Sequence, residues 1–168
     1  RHQMAFSGGN VIEPLARTGD APKKATGTRV RAWPDGSFFD SPNIPLAELE
    51  RLLRSKAVLL PGLEVSLTIE DGETRSWCFS QGMQQYLAEQ IQDELVAPIF
   101  ATEKYAPKGD ENFPPGSGAA WAICWTAEGG LARESYVNLI PTPAGGTHEA
   151  GLRQAALDAI KGFAEHHS

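Results

Sequence analysis

Between Ala97 and Gly118 the chain carries Pro98, Pro107, Pro114 and Pro115 together with Gly109, Gly116 and Gly118. Proline fixes φ and removes a backbone donor, so no helix or central strand is expected to run unbroken through such a stretch. The chain is thus split into two periodic parts, and a domain boundary is expected near Ala97. Its 168 residues allow one ordinary domain or two small ones. With 41% apolar and 21% charged residues the balance is that of a globular protein. No apolar run approaches the roughly 20 residues needed to span a bilayer.

Before that stretch, Gln3 to Phe6 and Val11 to Ala16 read as strands joined by the turn residues Ser7-Gly8-Gly9-Asn10. Thr28 to Trp33 alternates Arg29 and Arg31 against Val30 and Ala32, a strand pattern that closes at Pro34-Asp35-Gly36. Pro45 to Val58 reads as a helix with Leu46, Leu49, Leu52 or Leu53, and Ala57 at helical spacing. Leu63 to Ile69 alternates as a half-buried strand, and Asp71-Gly72 is a hairpin turn into Arg75 to Ser80. Gln84 to Leu95 reads as a second helix. Beyond the stretch, Ala119 to Thr126 and Glu134 to Ile140 both alternate and are expected to pair through Glu128-Gly129-Gly130. Thr147 is placed to cap a last helix with the stripe Leu152, Ala156, Ile160 and Phe163. The class is α+β.

Chemistry-bearing residues are sparse. Cys78 and Cys124 stand far apart and read as buried free thiols of a reducing compartment. No CxxC pair accompanies the histidines, so no metal site is expected. The pairs Glu70-Asp71 and Asp110-Glu111 read as solvated turns, and no catalytic constellation is visible. The net charge of −6 argues against a free-standing nucleic-acid binder. Any DNA contact must be local or belong to a larger assembly. The start at Arg1 rather than Met reads as a processed or partial chain.

Two stretches carry a resemblance. Thr26-Gly27-Thr28-Arg29-Val30-Arg31-Ala32-Trp33-Pro34-Asp35 resembles a motif of the B subunits of bacterial type IIA DNA topoisomerases. Ser135-Tyr136-Val137-Asn138-Leu139-Ile140-Pro141, followed by Gly145-Gly146-Thr147-His148 and Gly151-Leu152-Arg153, resembles a second motif of the same family, in the right order. Phe38-Phe39-Asp40-Ser41-Pro42, Lys56-Ala57-Val58-Leu59 and Asn138-Leu139-Ile140-Pro141 look more like topoisomerase IV than gyrase. Ala32 departs from the larger residue usual at its place.

The resemblance implies a fold and an activity. Residues 1–96 would be the C-terminal part of a GHKL (Bergerat) ATPase domain, and residues 97–168 the start of a ribosomal-protein-like α/β transducer domain. The parent protein would be an ATP-dependent type II DNA topoisomerase using ATP and Mg2+. It would work with the topoisomerase IV A subunit, DNA and a second copy of itself, in the cytoplasm at the nucleoid and away from membranes. The magnesium ligand and phosphate-binding loops would precede this chain, and a transducer lysine loop would follow it. Thr28 and Val30 would then contribute to the adenine pocket, and Arg153 would face a captured DNA segment. Read alone, Thr28 is a strand residue of high β-propensity, and Arg153 is a solvated helix charge able to pair with Glu149 at i,i+4. Two other readings stay open: the same region of the gyrase B subunit, or an α+β binding module without nucleotide chemistry.

If the resemblance holds, the 168-residue chain supplies only one wall of a nucleotide site. Isothermal titration of this chain with a non-hydrolysable ATP analogue is expected to show no saturable binding; a specific saturable site would overturn that expectation.

Overall fold

The computed structural model describes residues 1–70, 72–129 and 132–167. These form two compact units, Arg1–Asn43 and Ile44–Ser168. The Pro/Gly-rich stretch lies inside the second.

In the first unit, β1 (His2–Ser7) pairs antiparallel with β2 (Asn10–Arg17). The turn between them runs through Gly8 and Gly9 at φ 54° and 80°, the left-handed region that glycine enters without steric cost. The hairpin is closed at its open end by Thr18 N–H donating to the Arg1 carbonyl at 3.0 Å. Thr28 to Trp33, expected as a strand, is not one. No described strand pairs with it, and an isolated alternating segment has nowhere to place its ladder hydrogen bonds. Arg31 instead lies over the Trp33 ring at 5.0 Å.

The second unit is built on α1 (Leu46–Leu59), the hairpin of β3 (Val65–Thr68) and β4 (Thr74–Trp77), and α2 (Gly82–Gln90). The register Val65↔Trp77 to Thr68↔Thr74 places Val65 and Trp77 opposite each other. Asp71, on which the expected turn rests, lies outside the described residues. Only the C-terminal half of α1 is buried. Ala57, Val58 and Phe79 form the core, with Val65, Trp77, Met83 and Tyr86 packed against it, while Leu46 and Leu52 of the expected stripe remain exposed. Glu48 in the first turn of α1 and Lys56 in the last complement the helix dipole.

Helix α2 starts two residues earlier than the sequence pattern suggests, at Gly82, which takes φ 53°. It ends at Gln90, and Leu95 instead bridges Thr126.

The second half of the chain departs further from expectation. The strand at Ala119 does not pair with residues 134–140. β6 (Gly118–Ile123) pairs with β5 (Phe100–Tyr105), in the register Phe100↔Ile123 to Tyr105↔Gly118. Pro98 and Pro107 flank β5 without interrupting it, so a six-residue strand survives inside the Pro/Gly-rich stretch. Gly130, part of the expected turn, lies outside the described residues. Glu134 to Ile140 is not one strand either. β7 (Tyr136–Val137) turns back at once into β8 (Ile140–Pro141) through Asn138 and Leu139, at φ 48° and 69°. Two successive positive φ values match the type I′ turn of tight hairpins.

α3 (Thr147–His167) follows. Thr147 is inside it rather than at its cap: the Gly146 carbonyl accepts from the N–H groups of Glu149 and Ala150. Leu152 and Ala156 are half-buried, but Ile160 and Phe163 are exposed, so the expected stripe is covered only over its first turns. The cysteines are free, Cys78 exposed and Cys124 half-buried, neither in the core expected for them. A chain of this size with its core confined to the segments around Ala57 and Val58 has only a small apolar centre.

A Cβ on Gly82 would sit 2.9 Å from Pro61 Cγ and 3.2 Å from the Val58 carbonyl, at a φ that L-residues avoid. Gly82→Ala is expected to lower unfolding stability by about 1–2 kcal/mol, read as a lower urea midpoint; an unchanged midpoint would show that the turn into α2 relaxes freely.

Candidate functional site

The implied nucleotide contributors and the implied DNA-facing residue belong to different units. Thr28 and Val30 stand two positions apart in the extended loop of the first unit, both exposed, Val30 at 83%. Arg153 lies on the first turns of α3 in the second. The fold thus keeps Thr28 and Val30 in one segment and gives Arg153 surroundings of its own. Among the described residues no group of three or more His, Cys, Asp or Glu side chains is placed to hold a metal ion.

Arg153 donates to Glu149 Oε1 at 2.7 Å, the i,i+4 pairing that the sequence allows. The same oxygen receives Arg133 Nε at 2.6 Å, a contact across sixteen positions that no sequence periodicity signals. His148 has Thr142 Oγ1 at 3.5 Å, and Thr142 Oγ1 lies 2.7 Å from Ser135 Oγ. The Ser135 hydroxyl also reaches the Thr142 carbonyl at 3.0 Å, which staples the β7–β8 hairpin at its base. Asp110 accepts from the Asn112 N–H at 2.8 Å within a turn where Asp110 is half-buried and Glu111 exposed.

A second polar cluster was invisible in the sequence. Tyr86 on α2 donates to Glu134 Oε1 at 2.9 Å, and Tyr136 on β7 donates to Glu134 Oε2 at 2.6 Å. Arg54 on α1 reaches the Tyr86 hydroxyl at 3.3 Å and lies over its ring at 5.3 Å. Lys56, one of the topoisomerase IV-like residues, donates to the Leu139 carbonyl in the tight β7–β8 turn. These groups come from positions up to 83 residues apart. Only the packed structure assembles them. Burial raises the Tyr136 pKa well above its ordinary value, with the hydrogen bond to the Glu134 carboxylate and its negative charge acting the same way. Tyr86 is raised for the same causes in the same order.

Comparison with known proteins places the fold. The topoisomerase IV ATP-binding domain of Francisella tularensis, solved with a small-molecule inhibitor, superposes with a TM-score of 0.77 at 33% identity, over 99% of this chain and 43% of that one. The 43K ATPase domain of Thermus thermophilus gyrase B, solved with an aminocoumarin, gives 0.75 at 27% identity, over 98% and 43%. The fold is therefore that of part of a GHKL ATPase region of the topoisomerase IV and gyrase B type. The DNA gyrase B family model matches residues 82–168, and the chain belongs to that family. The B subunit of DNA topoisomerase 4 from Escherichia coli K12 is 41% identical over 98% of this chain and 26% of its own length. The Pseudomonas aeruginosa PAO1 protein of the same name is 39% identical over 98% and 25%. The chain spans about a quarter of the length of these curated relatives. No described helix is long and apolar enough to cross a membrane.

A tyrosine whose folded-state pKa is raised contributes stability that is complete below its unfolded value, here 10.0, and is lost as pH rises towards the folded value. Unfolding stability is expected to begin falling as pH passes the unfolded value of 10.0 and to keep falling towards the raised folded value, and Tyr136→Phe is expected to flatten that fall while costing about 1 kcal/mol at neutral pH. Equal slopes for the two proteins in urea titrations would rule out the Tyr136–Glu134 contact as their source.

Proposed function

We propose that the chain is part of the ATP-hydrolysing B subunit of a DNA topoisomerase IV. Such an enzyme couples ATP turnover to the passage of one duplex through another. The observation that carries this reading is the match to B subunits of DNA topoisomerase 4 across 98% of the chain, at 41% and 39% identity. In this reading the working partners are DNA, the topoisomerase IV A subunit, plus a second copy of the B subunit, while the compartment is the nucleoid-bearing cytoplasm. The same region of the gyrase B subunit is the second reading, supported by the likeness to the Thermus protein.

Residues 1–96 are assigned to the ATPase domain and residues 97–168 to the start of the transducer. The Pro/Gly-rich change of composition after Ala97 is what suggests this division, although residues 44–168 pack as one compact unit. The chain's own part in the chemistry is to bind and to orient. Paired as a strand, Thr28 and Val30 would share one face, with the Thr28 hydroxyl offered to the adenine edge and Val30 against the ring. ATP would supply the free energy of gate closure and resetting, with Mg2+ beside its phosphates. Arg153, 63% exposed at its side chain, attracts DNA phosphate without reading sequence.

Three measurements on the full-length protein test this. With the A subunit present, decatenation of interlocked circles rather than supercoiling of relaxed ones is the outcome expected of topoisomerase IV; supercoiling would favour the gyrase reading. Thr28→Ala is expected to weaken binding of a non-hydrolysable ATP analogue about fivefold, the worth of one hydrogen bond of about 1 kcal/mol. Arg153→Glu is expected to reduce DNA-stimulated ATP turnover and strand passage several-fold, with unfolding stability shifted by only about 0.5 kcal/mol. Full retention of DNA stimulation would remove Arg153 from the DNA path.

A further inference from the structure

We propose that Arg133 is a second phosphate contact on the DNA-facing surface, held beside Arg153 by their shared carboxylate, Glu149. The proposal rests on the reading of Arg153 given above and adds a residue that neither the sequence motifs nor the helix pattern single out. Arg133 Nε and Arg153 Nη2 meet the same oxygen, Glu149 Oε1, at 2.6 and 2.7 Å. The Glu149 side chain is only 14% exposed, whereas those of Arg133 and Arg153 are 42% and 63% exposed. A nearly buried anchor thus carries two guanidiniums whose outer edges face solvent. Each guanidinium has five N–H donors in a rigid fork, and each spends only part of that set on Glu149.

The three groups sum to a formal charge of +1, in a chain whose net charge is −6. Both arginines line a hollow of about 430 Å3 with Gly145, Gly146, Gln154 and Leu157. Its floor depends on glycine. A Cβ at Gly145 would come within 2.6 Å of Arg133 Nη2 and 2.8 Å of Glu149 Oε2, so a larger residue there would push Arg133 off its anchor. Two oriented forks over one hollow suit a phosphodiester, which accepts planar donors at two oxygens. They suit it at any base sequence, because contacts to phosphate carry no sequence information.

The test is the salt dependence of duplex DNA binding by the full-length protein assembled with its A subunit. Each phosphate contact contributes about 0.9 to the slope of log affinity against log salt. Arg133→Ala and Arg153→Ala are each expected to lower that slope by about 0.9, the double variant by about 1.8, and equally on two duplexes of unrelated sequence. Arg133→Lys keeps the charge and is expected to restore most of the slope, which a merely structural arginine would not do. If Arg153→Ala lowers the slope and Arg133→Ala leaves it unchanged, the Arg133 contact is wrong and the role of Arg153 stands. If neither changes it, both fail.

Discussion

The contact of Ala57 and Val58 with Phe79 is the one on which the second unit depends. It is where the C-terminal half of α1 meets the segment leaving β4, and it sets the positions of Val65, Trp77, Met83 and Tyr86 around it. Phe79 and Tyr86 meet edge to face with centroids 5.7 Å apart, a geometry that fixes the rotation of α2 about its axis. That rotation turns the Tyr86 hydroxyl outward to Glu134. A core this small leaves little margin, so the close approach at Gly82 matters more than it would in a larger domain.

From that centre outward the packing becomes polar. Tyr86, Glu134 and Tyr136 join α2 to β7, and Lys56 joins α1 to the Asn138–Leu139 turn. Leu139 holds φ 69° without glycine's freedom, and its carbonyl is taken by Lys56, so the turn is held from outside as well as by its own ladder. The motif that identifies the family at Ser135 to Pro141 is therefore also the segment through which α1 and α2 grip the later part of the chain.

The charge pattern follows the same logic on a smaller scale. The chain is acidic as a whole, yet around Glu149 two arginines share one anchor. Local arrangement, not net charge, decides whether such a surface attracts phosphate, since exposed charges beyond about 10 Å are screened at ordinary salt.

Local patterning made the hairpin at Gly8-Gly9, both early helices, the β3–β4 pair and the last helix legible, because each rests on spacing and turn residues within a dozen positions. The motifs around Thr28 and Ser135 named the family, and the Glu149–Arg153 pair followed from helical spacing alone. The choice of strand partner did not follow. β6 alternates equally well whichever neighbour it has, and only three-dimensional packing selects Phe100–Tyr105 over residues 134–140. The same holds for Thr28 to Trp33, whose alternation is a strand pattern but whose pairing needs a neighbour at its edge. Arg133, Tyr86 and Glu134 carry no periodic or motif signal that points to a contact, and Lys56 none that points to Leu139; they acquire roles only when distant segments are folded together. The sequence by itself determined which segments can be helix or strand and which family they come from, since those depend on local sterics and residue order. The tertiary structure decided which strands pair and which charges meet, since those depend on distances across space that no local pattern encodes.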